Sequence, residues 1–195
     1  MTGRITIVGP RDREPIPEDA VFINTTSRST NWTKAFSPFF LGPCKLYGPF
    51  VSKNVENGWQ FSKVYEKHLN PNGHPNGEYW SWAINGWNNS RAVRYPMSKG
   101  ASPEFSYWDG EKLDYIEARK RIYIPLYSNE VVKLEEFDRL LEMYRSGAHL
   151  YLWDFDGYNH KKLGMDMKDV LNSREKKMGH AFVLAVTLHK LAPIA

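Results

Sequence analysis

The sequence predicts an α+β fold, a predominantly helical single domain with a small sheet, and three observations carry that prediction. Residues 54–69 and 133–146 repeat apolar side chains at helical spacing, and residues 175–191 are apolar nearly all round. Three runs, RITIV at 4–8, VFIN at 21–24 and HLYLWDF at 149–155, are β-branched or aromatic and short, as strands are. The length of 195 residues fits one domain, and 42% hydrophobic with 25% charged residues is an ordinary globular balance.

Taken in order, the strands at 4–8 and 21–24 flank a loop rich in proline and charge, and residues 25–53 read as ordered loop with short strand pieces. Asn54 is a good N-cap for the helix over 54–69. Phe61, Val64, Tyr65 and His68 then share its core face, while Glu56, Gln60, Lys63 and Lys67 form a separate stripe closed off by Pro71 and Gly73. Residues 70–108 form a long irregular insert rich in Pro, Gly and Trp, which reads as a functional loop or a packed lid. Asp109 is placed to cap a helix over 111–123, with Leu113, Ile116 and Ile122 inward and Pro125 limiting its end. In 133–146, Leu134, Phe137, Leu140, Leu141 and Tyr144 make one apolar face, with Gly147 where a left-handed cap belongs. The 149–155 segment reads as a buried strand ending in Asp154 and Asp156, and 175–191 as a central buried helix.

Composition bounds the function. Aromatic residues are 14% of the chain, enough to build a core and equally able to stack nucleobases. The net charge is +4 and the isoelectric point is near 9.0; this suits an anionic partner, but also a soluble surface with a few spare lysines. A single cysteine, Cys44, allows no disulfide within the chain and is expected to be a buried, inert thiol in a cytoplasmic protein. No run is long and apolar enough for a signal peptide or a membrane span. The histidines lack zinc-site spacing, and P-loop, dinucleotide-binding and nucleophile-elbow patterns are missing. DFDGYN fails as a calcium loop because Gly157 and Met165 fall where that loop needs other residues.

Three constellations are able to carry chemistry. Glu56 and Lys63 share the polar stripe with Trp59 beside it; a carboxylate that faces an anomeric carbon stabilises the positive charge of a breaking N-glycosidic bond, an amine attacks that carbon, and an indole stacks the base. A solvated stripe of a surface helix has the same composition. Asp154 and Asp156, on one strand face by period-two alternation, suit an acid–base pair, or else are turn formers. In the insert, Trp80, Trp82 and Trp87 with Arg91, Arg94 and Lys99 combine rings and cations as a lid over a phosphate-bearing ligand would; the alternative is a satellite core of inward tryptophans. Arg91 and Arg94, three apart, would point together on a helical turn. Arg119-Lys120-Arg121 and Lys161-Lys162, with Arg174, Lys176 and Lys177, could meet phosphates or be solvated faces.

Phe36-Ser37-Pro38-Phe39 followed by VENGWQFSK resembles the NADAR family, the NAD- and ADP-ribose-associated N-glycosidases. Members open with an aromatic SNF or SPF segment and continue with E-x-x-aromatic-Q-x-x-K. Here Ser37-Pro38-Phe39 looks like the first, and Glu56, Trp59, Gln60 and Lys63 fit the second without a gap. RIYIPLYSNEVVKLEEFDRLLEMYRSG, ending in Ser146-Gly147, is similar to the family's helix pair. HLYLWDFD parallels its strand leading into acidic residues, and KMGHAFVLAVTLHKL its closing helix. The order agrees over most of residues 36–191. The chain departs where GYNHKKLGM stands in place of the family's Trp-Gly-x-Gly stretch, and in the length and Trp content of the 70–108 insert. The resemblance implies a NADAR-like fold and hydrolysis of an N-glycosidic bond in a ribosylated nucleotide or nucleobase, free or within nucleic acid, with no metal and no redox cofactor. With it, the expected catalytic set is Lys63 as the reactive amine and Glu56 and Asp156 as the carboxylates, with Asp154 in support. Trp59, Gln60 and Phe39 are expected to bind substrate, and Arg91 and Arg94, by the composition and placement of the insert, to meet its phosphates. Two other readings stand beside it. One is a non-catalytic module for nucleotide or single-stranded nucleic acid, suggested by the isoelectric point near 9.0, the Trp-rich insert and the basic clusters. The other is a nucleobase- or DNA-modifying enzyme that reuses the same pocket on the same fold.

Overall fold

A computed structural model describes residues 3–192, a mixed α/β arrangement with small sheets. The chain forms two compact units, one from the residues up to Ser37 together with those from Tyr127 onward, the other from Pro38–Leu126 between them.

The first unit is built on a three-stranded parallel sheet. His149–Trp153 is its centre, paired with Arg4–Val8 on one side and Ala20–Asn24 on the other. Ile7, Leu152 and Ile23 lie in register on one face, where none exceeds 2% exposure. The helix His180–Leu191 packs against this sheet, and Glu135–Arg145 packs against that helix and against the 3₁₀ turn Trp32–Phe36. Phe137, Leu140, Leu141 and Tyr144 are buried, and Gly147 has φ +98°, both as the sequence predicts. The closing helix starts at His180, so residues 175–179 lie outside it. His149–Trp153 is buried on one face only, not on both. His149, Tyr151 and Trp153, which alternate with the buried Leu150 and Leu152, are only partly buried on its second face.

In the second unit, the expected helix over 54–69 is cut short. It runs Val55–Gln60, capped by Asn54 as predicted, with the Asn54 carboxamide oxygen accepting from the Asn57 N–H at 2.8 Å. The Ser62 hydroxyl donates to the Trp59 carbonyl at 2.7 Å, and Lys63–Val64 becomes a strand paired with Ser106 and Phe105. The backbone bonds that would have extended the helix are spent on a side chain and a sheet. Phe61, Val64, Tyr65 and His68 are still all buried. Lys67 leaves the polar stripe and pairs with Glu78 at 3.3 Å.

The 70–108 insert is not structureless. It holds the helix Gly77–Asn88, capped by Asn76, and the strand Phe105–Trp108. Tyr79, Ala83 and Trp87 join Phe61 and Val64 in the unit's core, with Trp80 and Trp82 packed on its margin. Residues 111–113 form a strand hairpinned to Phe105–Trp108, because Asp109 and Gly110 take φ +47° and +87° as a two-residue turn. The helical run therefore begins at Tyr115, capped by Asp114 and not by Asp109. It continues through a π turn, Arg119–Tyr123, into Ile124–Val131. Pro125 does not end it: the Ile124 N–H reaches back five residues to the Arg119 carbonyl. This wider turn relieves the crowding a proline ring imposes on the preceding turn. Arg119, grouped by sequence with a basic surface cluster, is 2% exposed, its guanidinium 4.7 Å from the Tyr115 ring centroid.

Candidate functional site

The helix Val55–Gln60 is held firmly in its unit. The Val55 N–H donates to the Leu41 carbonyl at 2.8 Å and the Glu56 N–H to the Pro38 carbonyl at 3.0 Å, which brings the Pro38-Phe39 segment to its N-terminus. Asn57 is fully buried, and its amide donates to the carbonyls of Gly86, Asn89 and Arg91 while its oxygen accepts from the Val93 N–H. One side chain thus fastens the end of Gly77–Asn88 and the following loop to this helix. No local pattern in the sequence announces Asn57, whose partners lie about thirty positions away.

Glu56, Gln60 and Lys63 are brought together, though not by a continuous helix. Gln60 Nε2 donates to Glu56 Oε1 at 3.0 Å, and Lys63 Nζ donates to Gln60 Oε1 at 2.8 Å. The Glu56–Gln60 link is helical i,i+4 spacing; Lys63 reaches Gln60 from the strand that follows. Glu56 and Gln60 are buried, at 6% and 8% exposure, and Lys63 is half-buried. The Lys63 ammonium also sits 4.9 Å from the Trp59 ring centroid, and Trp59 packs against Tyr123 with centroids 5.2 Å apart. Both amide ends of Gln60 are engaged within the trio, so it acts as the link that orients carboxylate and amine. Tyr123 was missed because the helix holding it was expected to stop, not to widen.

Other predicted residues are placed differently. Arg91 and Arg94 lie beyond the end of Gly77–Asn88, so no helical turn aligns them; Arg91 is exposed and Arg94 lies 5.3 Å from the Tyr95 ring centroid. Trp87 is 1% exposed and serves the core. A hollow of about 170 Å³ beside it is lined by Pro49, Phe50, Val51, Ile84, Trp87 and Asn88, which offer no ionisable group. Cys44 is buried, as expected.

Asp154 and Asp156 belong to the first unit and follow the strand in a turn, with the Gly157 N–H donating to the Asp154 carbonyl at 3.0 Å. The alternation expected to align them has already ended at Trp153. Asp154 is 3% exposed; it accepts from the Ala181 N–H at 3.1 Å and from the Asp156 N–H at 3.2 Å, and lies 3.2 Å from His180 Nδ1. His180 Nε2 is in turn 2.8 Å from the Thr25 hydroxyl. Hydroxyl, imidazole and carboxylate thus stand in the order of a nucleophilic triad. Yet Thr25 is 0% exposed and its hydroxyl donates to the Trp153 carbonyl, so the group ties strand ends to a helix start. Asp156 is half-buried, 3.9 Å from Lys177 Nζ.

In comparisons with known proteins, the sequence matches no family model and no curated protein. No helix among the described residues is long and apolar enough to cross a membrane.

Proposed function

We propose that Glu56, Gln60 and Lys63 form the centre of an N-glycosidase acting on a ribosylated base or an ADP-ribose-type substrate, in a divergent NADAR-like fold. The observation that supports this reading most is the carboxylate–amide–amine chain with an indole against its amine end. The trio also occupies the positions of the family's E-x-x-aromatic-Q-x-x-K motif. In this reading Trp59 stacks the base. Glu56 stabilises positive charge on the ribose ring as the bond between the anomeric carbon and the base nitrogen lengthens. Lys63 passes its ammonium proton to the departing base nitrogen and its amine bonds to that carbon. The sugar ring of the adduct then opens to a Schiff base, and water hydrolyses the imine to release the free sugar and restore the lysine. Gln60 holds Lys63 at the angle of attack. The reading is built on these residues; Asp154 and Asp156 lie in the other unit and it does not call on them.

The test is turnover of ADP-ribosylated guanosine and related nucleosides by Lys63→Ala and Glu56→Gln, with the fold checked by circular dichroism. Each is expected to lose at least about 100-fold in kcat. Borohydride reduction during turnover should trap a sugar adduct on Lys63 by mass spectrometry, and Lys63→Ala should abolish it. Wild-type rates in both variants would overturn the reading.

A further inference from the structure

We propose that the outer face of the three-stranded sheet is a stacking platform for single-stranded nucleic acid. The inference is independent of the glycosidase reading. Strand pleating sends Leu150 and Leu152, both 0% exposed, to the buried face, so His149, Tyr151 and Trp153 point to the other. The register sets Phe22 beside Tyr151 on one side and Thr6 on the other, with Arg4 next to His149. The Thr6 hydroxyl lies 2.9 Å from His149 Nε2, as this shared face requires. His149 and Tyr151 have ring centroids 4.8 Å apart, and Trp153 and Phe155 4.9 Å apart, so two ring pairs follow one another along the central strand and past its end.

These rings are not core. Phe22 is 48% exposed beside Ile23 at 2%, and Tyr151, Trp153 and Phe155 are each partly buried, with part of their surface left to solvent. Cations lie around the row. Arg4 and Arg28 are exposed, and the Arg28 guanidinium sits 5.1 Å from the Phe155 ring centroid. Burial foremost, then Arg4 and Lys161, hold the His149 imidazole below its usual range, with Asp19 acting the other way. Aromatic faces flanked by arginines fit a chain that carries unpaired bases on a phosphate backbone. A duplex keeps its bases stacked on each other and offers such a face only its phosphates.

The experiment is fluorescence anisotropy with oligothymidylate and oligouridylate of about 12 nucleotides across a salt series, beside a duplex of equal length. The full chain should bind both single strands more tightly than the duplex; the ratio between the two reports whether the sugar matters. Phe22→Ala should weaken binding roughly 5- to 100-fold. Phe22→Tyr should restore it, whereas Phe22→Leu, which keeps apolar bulk without a ring face, should not. Arg28→Ala should weaken binding and lower the salt slope by about one, while Lys45→Ala, at an exposed lysine of the other unit, leaves both unchanged. Absence of single-strand binding, preference for the duplex, or wild-type affinity in folded Phe22→Ala and Phe22→Leu would overturn the proposal.

Discussion

Gly179 shows how one absent side chain fixes a local structure. Its φ of −70° suits any residue, but a Cβ there would fall 2.1 Å from Asp154 Oδ2, so only glycine lets the carboxylate reach the start of His180–Leu191. Gly179→Ala should cost about 1–3 kcal/mol by overpacking, read as a lower midpoint in urea. Asp154→Asn keeps the shape but removes the charge beside His180 and the helix start. A loss of about 1–3 kcal/mol is expected, measured the same way; an unchanged midpoint would show that the Thr25–His180–Asp154 group does not hold the sheet to the helix.

At the scale of elements, Asn57 joins two helices and a loop. Asn57→Asp would set a carboxylate against the carbonyls of Gly86, Asn89 and Arg91, which now accept from its amide. A cost of about 3 kcal/mol or more is expected, with hydrogen exchange speeding first around residues 86–93. The hairpin at 105–113 depends on its turn. Gly110→Ala forces a Cβ into φ +87° and should cost about 1 kcal/mol; a fall in melting temperature of roughly 2–4 °C checks it. Turn chemistry was legible here as Asp-Gly, but Asp109 is also a good helix cap, and the cap reading displaced the hairpin.

At the scale of the whole molecule, three histidines contribute to the response to acid. His68 is 0% exposed among Tyr65, Tyr79 and Trp82, and neither of its ring nitrogens has a hydrogen-bond partner. Burial is the first cause that lowers the His68, His149 and His160 imidazoles below their ordinary value of 6.5. Each group is neutral when folded and binds a proton more readily when unfolded, so its stabilising share is complete above that value and is lost as pH falls below it. The melting temperature should therefore hold steady from neutral to mildly basic pH and drop on acidification. His68→Phe, which keeps the ring stacking, should flatten that drop; an unaltered acid profile would exclude His68 as a contributor.

The sequence by itself determined the elements whose signals are local: the caps at Asn54 and Gly147, the apolar face of Glu135–Arg145, the strand pieces and the closing helix. It also put Glu56, Gln60, Trp59 and Lys63 in one neighbourhood, because six or seven residues cannot carry them far apart in either helix or turn. Tertiary structure decided the rest. Whether residues 63–64 extended a helix or joined Phe105–Trp108 depended on a strand forty positions away. Whether a tryptophan was lid or core depended on what packed over it: Trp87 is buried under Tyr47 and Phe50, while Trp153, in the segment read as a buried strand, is only partly buried. Ring composition reports area available for burial, and only packing against distant residues determines which rings are withdrawn from water.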